Sequence, residues 1–144
     1  MYKSIEALGK RKINMLYLLI VGYPTETEKD FNDTLELLHR SVDYKRYVEV
    51  RCNIAMLLPN TEIYDEFYLH YDDDHLWKTQ TTDGVLTYKV RYERWKKVNT
   101  LVENLGLKSD KRIKQLEKAI LRNIEKEDSK IILRSLEKED SRVI

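Results

Sequence analysis

The order of elements in residues 15–57 constrains the fold more than any other feature of the sequence. An apolar run from Met15 to Val21 ends at Gly22, and an amphipathic helical pattern follows it. A run that is apolar at every position predicts a strand covered on both faces, as in a parallel sheet. Residues 47–57 predict a second strand, which alternates at first and is continuously apolar towards its carboxyl end. The order predicts a parallel βαβ unit and an α/β fold.

Local signals predict where the helices begin and end. Thr25, with Glu28 three residues later, predicts a capping box, and the connecting helix should then run to about Val42. Gly9 is expected at the C′ position of an earlier helix. Thr61 is expected to cap a short helix after the second strand.

Three segments are predicted along the chain. Residues 1–67 carry the βαβ unit, residues 68–84 form an irregular connection, and residues 85–144 form a helical tail. Within the tail, one amphipathic helix should end at Gly106 and another should start at Ser109.

The end of the chain contains a duplication. Residues 124–132 are repeated, with conservative changes, twelve positions later as residues 136–144. A period of twelve is not a heptad, and two copies cannot build a stacked core. The duplication predicts a solvated helical or frayed tail, with a partner-binding helix as the alternative.

Composition excludes several classes of protein. The chain has 144 residues with 26 Lys and Arg against 25 Asp and Glu, so a broad nucleic-acid-binding surface is not expected. One cysteine cannot close an intrachain disulfide, and alone it cannot hold zinc or an iron–sulfur cluster. With 35% charged residues, and with apolar runs far below the roughly 20 residues of a membrane helix, we expect a cytoplasmic protein without a membrane span or signal peptide.

Two further groups of residues have both a functional and a structural interpretation. Asp72, Asp73, Asp74 and His75 offer oxygen and nitrogen ligands for a cation, but without calcium-loop spacing a solvated acidic loop is favoured. His39 suits the negative end of a helix dipole, and neither it nor His70 has a nucleophile at motif spacing.

The later amphipathic helix could in principle stack RNA bases on its aromatic residues. Tyr88, Tyr92 and Trp95 recur at helical spacing, which favours core packing. The basic residues among them are expected to form the solvated border of that stripe: Lys89, Arg91, Arg94, Lys96 and Lys97.

The segment LLIVGYPTETEKDFNDTLELL resembles a motif found late in the partial barrel of radical S-adenosylmethionine (radical SAM) enzymes, Gly-φ-Pro-Gly-Glu-Thr-x-x-Asp-φ-x-x-Thr. The resemblance is closest to the branch that contains methylthiotransferases and cobalamin-dependent members. NIAMLLPNTEIYDEF is similar to the next strand of that family and its Pro-Gly-Thr-x-φ-Tyr turn. Trp77, together with the helix of Arg91, Arg94 and Trp95, is similar to the helical region after the barrel.

The resemblance covers about residues 2–107 and implies the C-terminal part of a partial TIM barrel, followed by helices. It implies that Ile20 packs against the adenine of S-adenosylmethionine, with a buried sheet residue as the alternative. Gly22 would lie at the edge of the cleft, and Glu26 would support its loop. The backbone around Met56 and Leu57 would meet the adenine edge, because a strand end offers both donors and acceptors.

Departures from the family pattern limit what the resemblance implies. Thr25 and Asn60 stand where the family often has glycine, and Asn tolerates the left-handed region better than most residues. The motif C-x3-C-x2-C, whose thiolates hold the [4Fe–4S] cluster in the family, is absent. Cys52 is expected to be a small buried residue.

These departures predict a fragment that is inactive alone. Its cofactors in the parent family would be S-adenosylmethionine and a [4Fe–4S] cluster, with cobalamin as a further option. Its expected partner is the N-terminal half of the barrel or a complementing chain, and the open sheet predicts marginal stability or self-association. The alternative is a non-catalytic helical interaction or scaffold protein derived from such an enzyme.

Overall fold

The structure is a computed structural model that describes residues 2–67 and 78–140. It confirms a mixed α/β fold. In chain order the elements are helix α1 (Tyr2–Lys10), strand β1 (Met15–Val21), helix α2 (Glu28–Arg40), a 3-10 segment (Val42–Tyr47), strand β2 (Val48–Ile54), helix α3 (Glu62–Phe67), strands β3 (Thr79–Thr81) and β4 (Gly84–Leu86), helix α4 (Tyr88–Asn104), strand β5 (Lys108–Ser109) and helix α5 (Ile113–Asp140).

Strands β1, β2 and β5 form a parallel sheet in that order. The register aligns Met15 with Val48 and Val21 with Ile54, so β1 and β2 begin and end level. The βαβ unit is therefore confirmed, with β2 shorter than the predicted 47–57. The third strand was not predicted, because two residues, Lys108 and Ser109, carry no hydrophobic pattern that distinguishes a strand.

The main core lies on one face of this sheet. Alternate strand residues point into it, among them Val21, Val48, Val50 and Cys52, and they pack against buried residues of the helices such as Phe31, Leu38, Trp95, Val98 and Val102. Burial of these side chains is the main stabilising contribution, at roughly 1.5–3 kcal/mol for each large apolar group.

The other face of the sheet is open. Leu16, Leu18 and Ile20 alternate with the core residues of β1 and are 48%, 68% and 62% exposed. The prediction that β1 is covered on both faces is therefore wrong for this chain as described. Their neighbours on β2 across the register are polar: Glu49, Arg51 and Asn53. An apolar row beside a polar row thus faces away from the helices.

Several predicted helix ends shift by a few residues. The capping box of α2 is formed by Thr27 and Asp30, two residues later than the predicted pair, because Thr25 lies in the preceding turn. The left-handed residue after α1 is Lys12 at φ 59°, whereas Gly9 lies within the helix, where a Cβ would collide with the ring of Tyr44. Gly9 is therefore required for packing and not for the predicted helix end.

Two other turns agree with the sequence. Thr61 caps α3 through its Oγ1, which accepts the Tyr64 N–H at 3.3 Å. Asn60 adopts φ 65°, the left-handed conformation expected of it in the family-like turn. Gly106 ends α4 at φ 67°, as predicted.

The segment between α3 and α4 is partly regular. Strands β3 and β4 pair antiparallel around Thr82 and Asp83. Strand β3 lies within the connection expected to be irregular, and β4 starts at its last residue, Gly84. Helix α4 then begins at Tyr88 with Thr87 as its N-cap, and Val85 belongs to β4. After α4, the chain forms β5 and then one helix, α5, that starts at Ile113, so Ser109 is a strand residue and not a helix start.

Candidate functional site

The carboxyl ends of β1 and β2 form the edge at which a ligand is expected. Val21 and Ile54 are paired across the register, and the Ala55 N–H continues the ladder by donating to the Val21 carbonyl at 2.9 Å. In α/β proteins, ligands bind outside the carboxyl ends of parallel strands. The residues that follow each strand therefore define the candidate site.

Gly22 opens the turn after β1 in a left-handed conformation, at φ 74°. Its N–H donates to Oε2 of Glu26 at 2.8 Å, and the Glu26 N–H donates to the Tyr23 carbonyl at 2.8 Å. The carboxylate and the backbone turn thus hold one another in place. Glu26 therefore supports the turn that follows β1 in this chain.

Arg94 of α4 fixes this turn from the core side. Its Nη1 donates to Oε2 of Glu26 at 2.6 Å and to the Glu26 carbonyl at 3.1 Å, and its Nη2 reaches Oε2 of Glu28 at 3.2 Å. The Arg94 and Glu26 side chains are each 8% exposed. Among the described residues, Nε of Arg94 is the one buried side-chain polar atom without a hydrogen-bond partner. The guanidinium also lies 5.2 Å above the ring of Phe31.

Arg91, one turn earlier on α4, occupies the space beside Gly22. Its aliphatic carbons lie where a Cβ at Gly22 would be, with Cδ 2.6 Å from that position. Its Nη1 donates to the Ala55 carbonyl at 3.0 Å, and the side chain is fully buried. The close approach that Gly22 permits is therefore made by an arginine of the same chain.

The prediction that Arg91 and Arg94 form a solvated border is wrong. Both are buried, because each guanidinium finds backbone carbonyl acceptors at the ends of the strands and in the turn. The spacing in the sequence indicated that Arg91 is buried, since Tyr88, Arg91 and Trp95 lie at steps of three and four on the inward stripe of α4. Trp95 lies on that stripe as predicted, and its Nε1 donates to the Cys52 carbonyl at 2.9 Å.

Ile20, Met56 and Leu57 differ in accessibility. Ile20 is on the open sheet face, so its alternative interpretation as a buried sheet residue is wrong. Met56, two residues beyond β2, is 48% exposed. Leu57 is fully buried in a small second core with Ala55 and Leu86. Side chains at positions 20 and 56 are therefore available to a ligand at this edge, and the side chain at 57 is not.

The β3–β4 hairpin covers the start of α2. Oδ2 of Asp83 accepts the Glu28 N–H at 2.6 Å, and Oγ1 of Thr79 donates to the Pro24 carbonyl at 2.7 Å. A free N–H at a helix start is a site for an anion, but here a carboxylate of the same chain accepts it. The hairpin is thus attached to the turn that carries Gly22.

No group of three or more His, Cys, Asp or Glu side chains suited to a metal ion occurs within residues 2–67 and 78–140. The predicted cluster at residues 72–75, with His70 and Trp77, lies outside the described residues. Cys52 is 3% exposed, and burial raises the pKa of its thiol to about 12. A buried, protonated thiol does not fit an iron–sulfur cluster, which requires several accessible thiolates.

Comparison with protein-family models, with curated proteins and with solved structures finds no match to this chain. In the described part of the chain, no helix combines the length and the apolar character needed to cross a bilayer.

Proposed function

We propose that this chain supplies the late strands of a radical SAM barrel and requires a cysteine-bearing N-terminal segment, or a complementing chain, to bind S-adenosylmethionine productively. The proposal combines the motif resemblance around Gly22 with the arrangement of the sheet. The chain's own residues would form the adenosine side of the cleft, and the cluster ligands would come from the other segment.

The observation that carries the proposal is the one-sided sheet. Three parallel strands lie in chain order, and the residues that pack on α2 and α4 all belong to one face. A sheet of this kind is expected in the wall of a (βα) barrel, where helices cover only the outside. In a doubly wound sheet, helices cover both faces. The exposed row of Leu16, Leu18 and Ile20 then corresponds to the interior of the barrel.

The accessible residues suit an adenine ring. Ile20 lies one residue before the end of β1 and presents an apolar surface, and Met56 presents another beyond the end of β2. A flat heterocycle gains from such contacts because apolar area is removed from water. Glu26 and Arg94 are already paired with one another, so we assign them to holding the turn and not to the ligand.

The DNA upstream of codon 1 is the first test. The proposal expects a coding segment with three cysteines in the C-x3-C-x2-C arrangement, in frame or in an adjacent gene. That segment should be long enough to complete a barrel of about 200 residues or more. If neither position encodes such a segment, the proposal is wrong.

The second test measures S-adenosylmethionine binding by the chain co-produced with that segment, using equilibrium dialysis. Ile20→Glu should weaken binding at least tenfold, because a carboxylate would replace the apolar contact with adenine. Leu16→Glu is the matched control, since it lies on the same strand and face but roughly 13 Å further from the carboxyl edge. Equal binding by the wild type and Ile20→Glu would contradict the assignment.

A second candidate function is favoured by Arg91. Because its side chain fills the space beside Gly22, that glycine serves the packing of α4. This is what a non-catalytic interaction protein derived from a radical SAM enzyme would retain. In that case the complete assembly would not bind S-adenosylmethionine, and Leu16→Glu and Ile20→Glu would both weaken association with a protein partner.

We propose a cytoplasmic location for this chain on the basis of its composition. Charged residues make up 35% of the chain, and its single cysteine has no partner for an intrachain disulfide. Fractionation of the native host, with detection of this chain, tests the location. Recovery with the soluble cytoplasmic fraction is expected, and recovery outside the cytoplasm would contradict it.

A further inference from the structure

Strand β1 lies at an edge of the parallel sheet. It pairs with β2 on one side, and no strand among residues 2–67 and 78–140 pairs with its other side. Its open face exposes Leu16, Leu18 and Ile20. Unpaired backbone groups beside an exposed apolar row form a template for another strand.

Natural edge strands are usually protected against such pairing. The common devices are charged residues, prolines and bulges on the edge. The seven residues of β1 are Met, Leu, Tyr, Leu, Leu, Ile and Val, so none of the charged or proline devices is present. The strand is also as long as β2, which leaves the full length available for pairing.

We propose that two copies of this chain pair through their β1 strands, antiparallel, around a two-fold axis at Leu18. A two-fold axis perpendicular to the sheet keeps the helices of both copies on the same side. With that axis, each residue must lie opposite a residue of the second copy whose side chain points to the same face of the sheet. This holds only when the axis passes midway between the two copies of one residue. Only an axis at Leu18 lets all seven residues of β1 find a partner.

This register is apolar at every position. Leu18 faces its own copy, Leu16 faces Ile20 of the second copy, and on the core side Tyr17 faces Leu19 of the second copy. The exposed rows of the two copies therefore become one continuous apolar surface. A two-fold interface of this kind is isologous, so the same residues serve both sides and the assembly closes as a dimer.

Charge distribution along the chain favours the antiparallel direction. Arg11 and Lys12 are exposed just before β1, whereas the exposed residues Glu28, Lys29 and Asp30 after it sum to one negative charge. Glu28 also pairs with Nη2 of Arg94, so the acidic character of this end is modest. Antiparallel pairing brings the basic end of one copy towards the acidic end of the other, and parallel pairing would bring like charges together. Complementary charges fix register and direction more than they add affinity.

The inference does not rest on the proposed function. It requires only the edge strand, its apolar face and the charges beside it. A complementing barrel segment would use the same edge, so it would compete with the second copy. The two ideas therefore fail independently: the dimer is tested on this chain alone, and the barrel is tested by the cysteine-bearing segment.

Cysteine cross-linking of the full chain tests the register. Leu18→Cys should form a covalent dimer under mild oxidation, because directly opposite residues have the Cα separation that a disulfide needs. The wild type is the background control, since Cys52 is buried and its thiol has a raised pKa of about 12. We expect most of Leu18→Cys, and almost none of the wild type, to migrate as a dimer without reductant.

Leu16→Cys and Ile20→Cys are the matched controls. In this register each lies roughly 13 Å from its own copy, so neither should cross-link alone. An equimolar mixture of the two should cross-link, since position 16 faces position 20 of the second copy. Cross-linking of Leu16→Cys with itself, as efficient as that of Leu18→Cys, would overturn the register.

Sedimentation of Leu18→Lys tests the dimer without disulfides. Leu18 is 68% exposed, so the substitution should leave the far-ultraviolet circular dichroism unchanged. A lysine opposite its own copy places two like charges together, and dimerisation should weaken at least tenfold. A wild-type chain that sediments as a 17.3 kDa monomer at micromolar concentration would overturn the proposal. So would a Leu18→Lys variant that dimerises as tightly as the wild type.

Discussion

Nη1 of Arg94 lies 2.6 Å from Oε2 of Glu26, and the two residues are 68 positions apart in the sequence. Both side chains are 8% exposed, so this ion pair joins α4 to the turn after β1 inside the protein. The same carboxylate oxygen accepts the Gly22 N–H at 2.8 Å. One buried carboxylate therefore connects the helix, the turn and the strand end.

Removing one partner of this ion pair should lower the free energy of unfolding. Arg94→Met leaves the Glu26 carboxylate buried without its cation, and we expect a loss of about 3–5 kcal/mol in the free energy of unfolding. The measurement is urea denaturation followed by Trp fluorescence. The double variant Glu26→Gln, Arg94→Met should recover most of that loss, because the amide oxygen still accepts the Gly22 N–H and no charge remains buried.

Glu6 and Lys10 provide the matched control. Their ion pair also measures 2.6 Å, but both side chains are more than half exposed. Lys10→Met should leave the urea midpoint unchanged within error, since exposed pairs contribute little. Equal losses for Lys10→Met and Arg94→Met would show that burial is not what makes the Arg94 pair important.

Local patterns in the sequence predict the strands and helices better than they predict the site. The apolar run of β1 and the inward stripe of α4 each depend on neighbours a few positions away, and these elements are present. The capping box of α2 is formed by Thr27 and Asp30 and not by the predicted pair of Thr25 and Glu28. The partner of Glu26 is Arg94, and no spacing rule joins residues so far apart. The positive charge of Arg91 led to the prediction that its side chain is exposed. The Ala55 carbonyl, just beyond the end of β2, accepts a hydrogen bond from it and allows it to be buried.

Gly22 should tolerate alanine less than Gly106 does. Both are left-handed, with φ values of 74° and 67°, so each substitution incurs the steric cost of that region, about 1–2 kcal/mol. At Gly22 the new Cβ would also collide with the side chain of Arg91, whereas the nearest atom at Gly106 is Nζ of Lys45 at 4.0 Å.

We therefore expect Gly22→Ala to cost about 1–3 kcal/mol more than Gly106→Ala, the range found for overpacked cores. Urea denaturation of both variants measures the difference. Equal costs would mean that Arg91 moves aside without penalty, and the close contact between Gly22 and Arg91 would then have no energetic importance.

Stability should fall at high pH because of Cys52. Burial, and secondarily the charge of Glu26, raise the pKa of its thiol from 9.0 to about 12. Below pH 9 the thiol is protonated in both the folded and the unfolded chain, so its contribution is fully present. Between pH 9 and 12 the unfolded chain loses a proton that the folded chain keeps, which favours unfolding by up to about 1.4 kcal/mol per pH unit.

The measurement compares the wild type with Cys52→Ala at pH 8 and pH 10.5. Tyrosines and lysines titrate in both proteins, so only the difference between the two slopes reports on Cys52. The wild type should lose more stability than Cys52→Ala over this interval. Parallel slopes would indicate that the thiol ionises in the folded protein as readily as in the unfolded chain.

Asp83 should control how firmly the β3–β4 hairpin is held against α2. Its Oδ2 accepts the Glu28 N–H at 2.6 Å, although it lies 55 positions away. Asp83→Ala removes this acceptor from the helix start, and a loss of about 0.5–2 kcal/mol is typical when such a capping interaction is deleted. Hydrogen exchange at the Glu28 amide should therefore accelerate, together with exchange at the paired amides of β3 and β4. Thr82→Ala in the same turn is the control, and it should leave exchange at Glu28 unchanged. If Asp83→Ala accelerates hydrogen exchange in β3 and β4 but not at the Glu28 amide, Asp83 stabilises the turn of the hairpin alone.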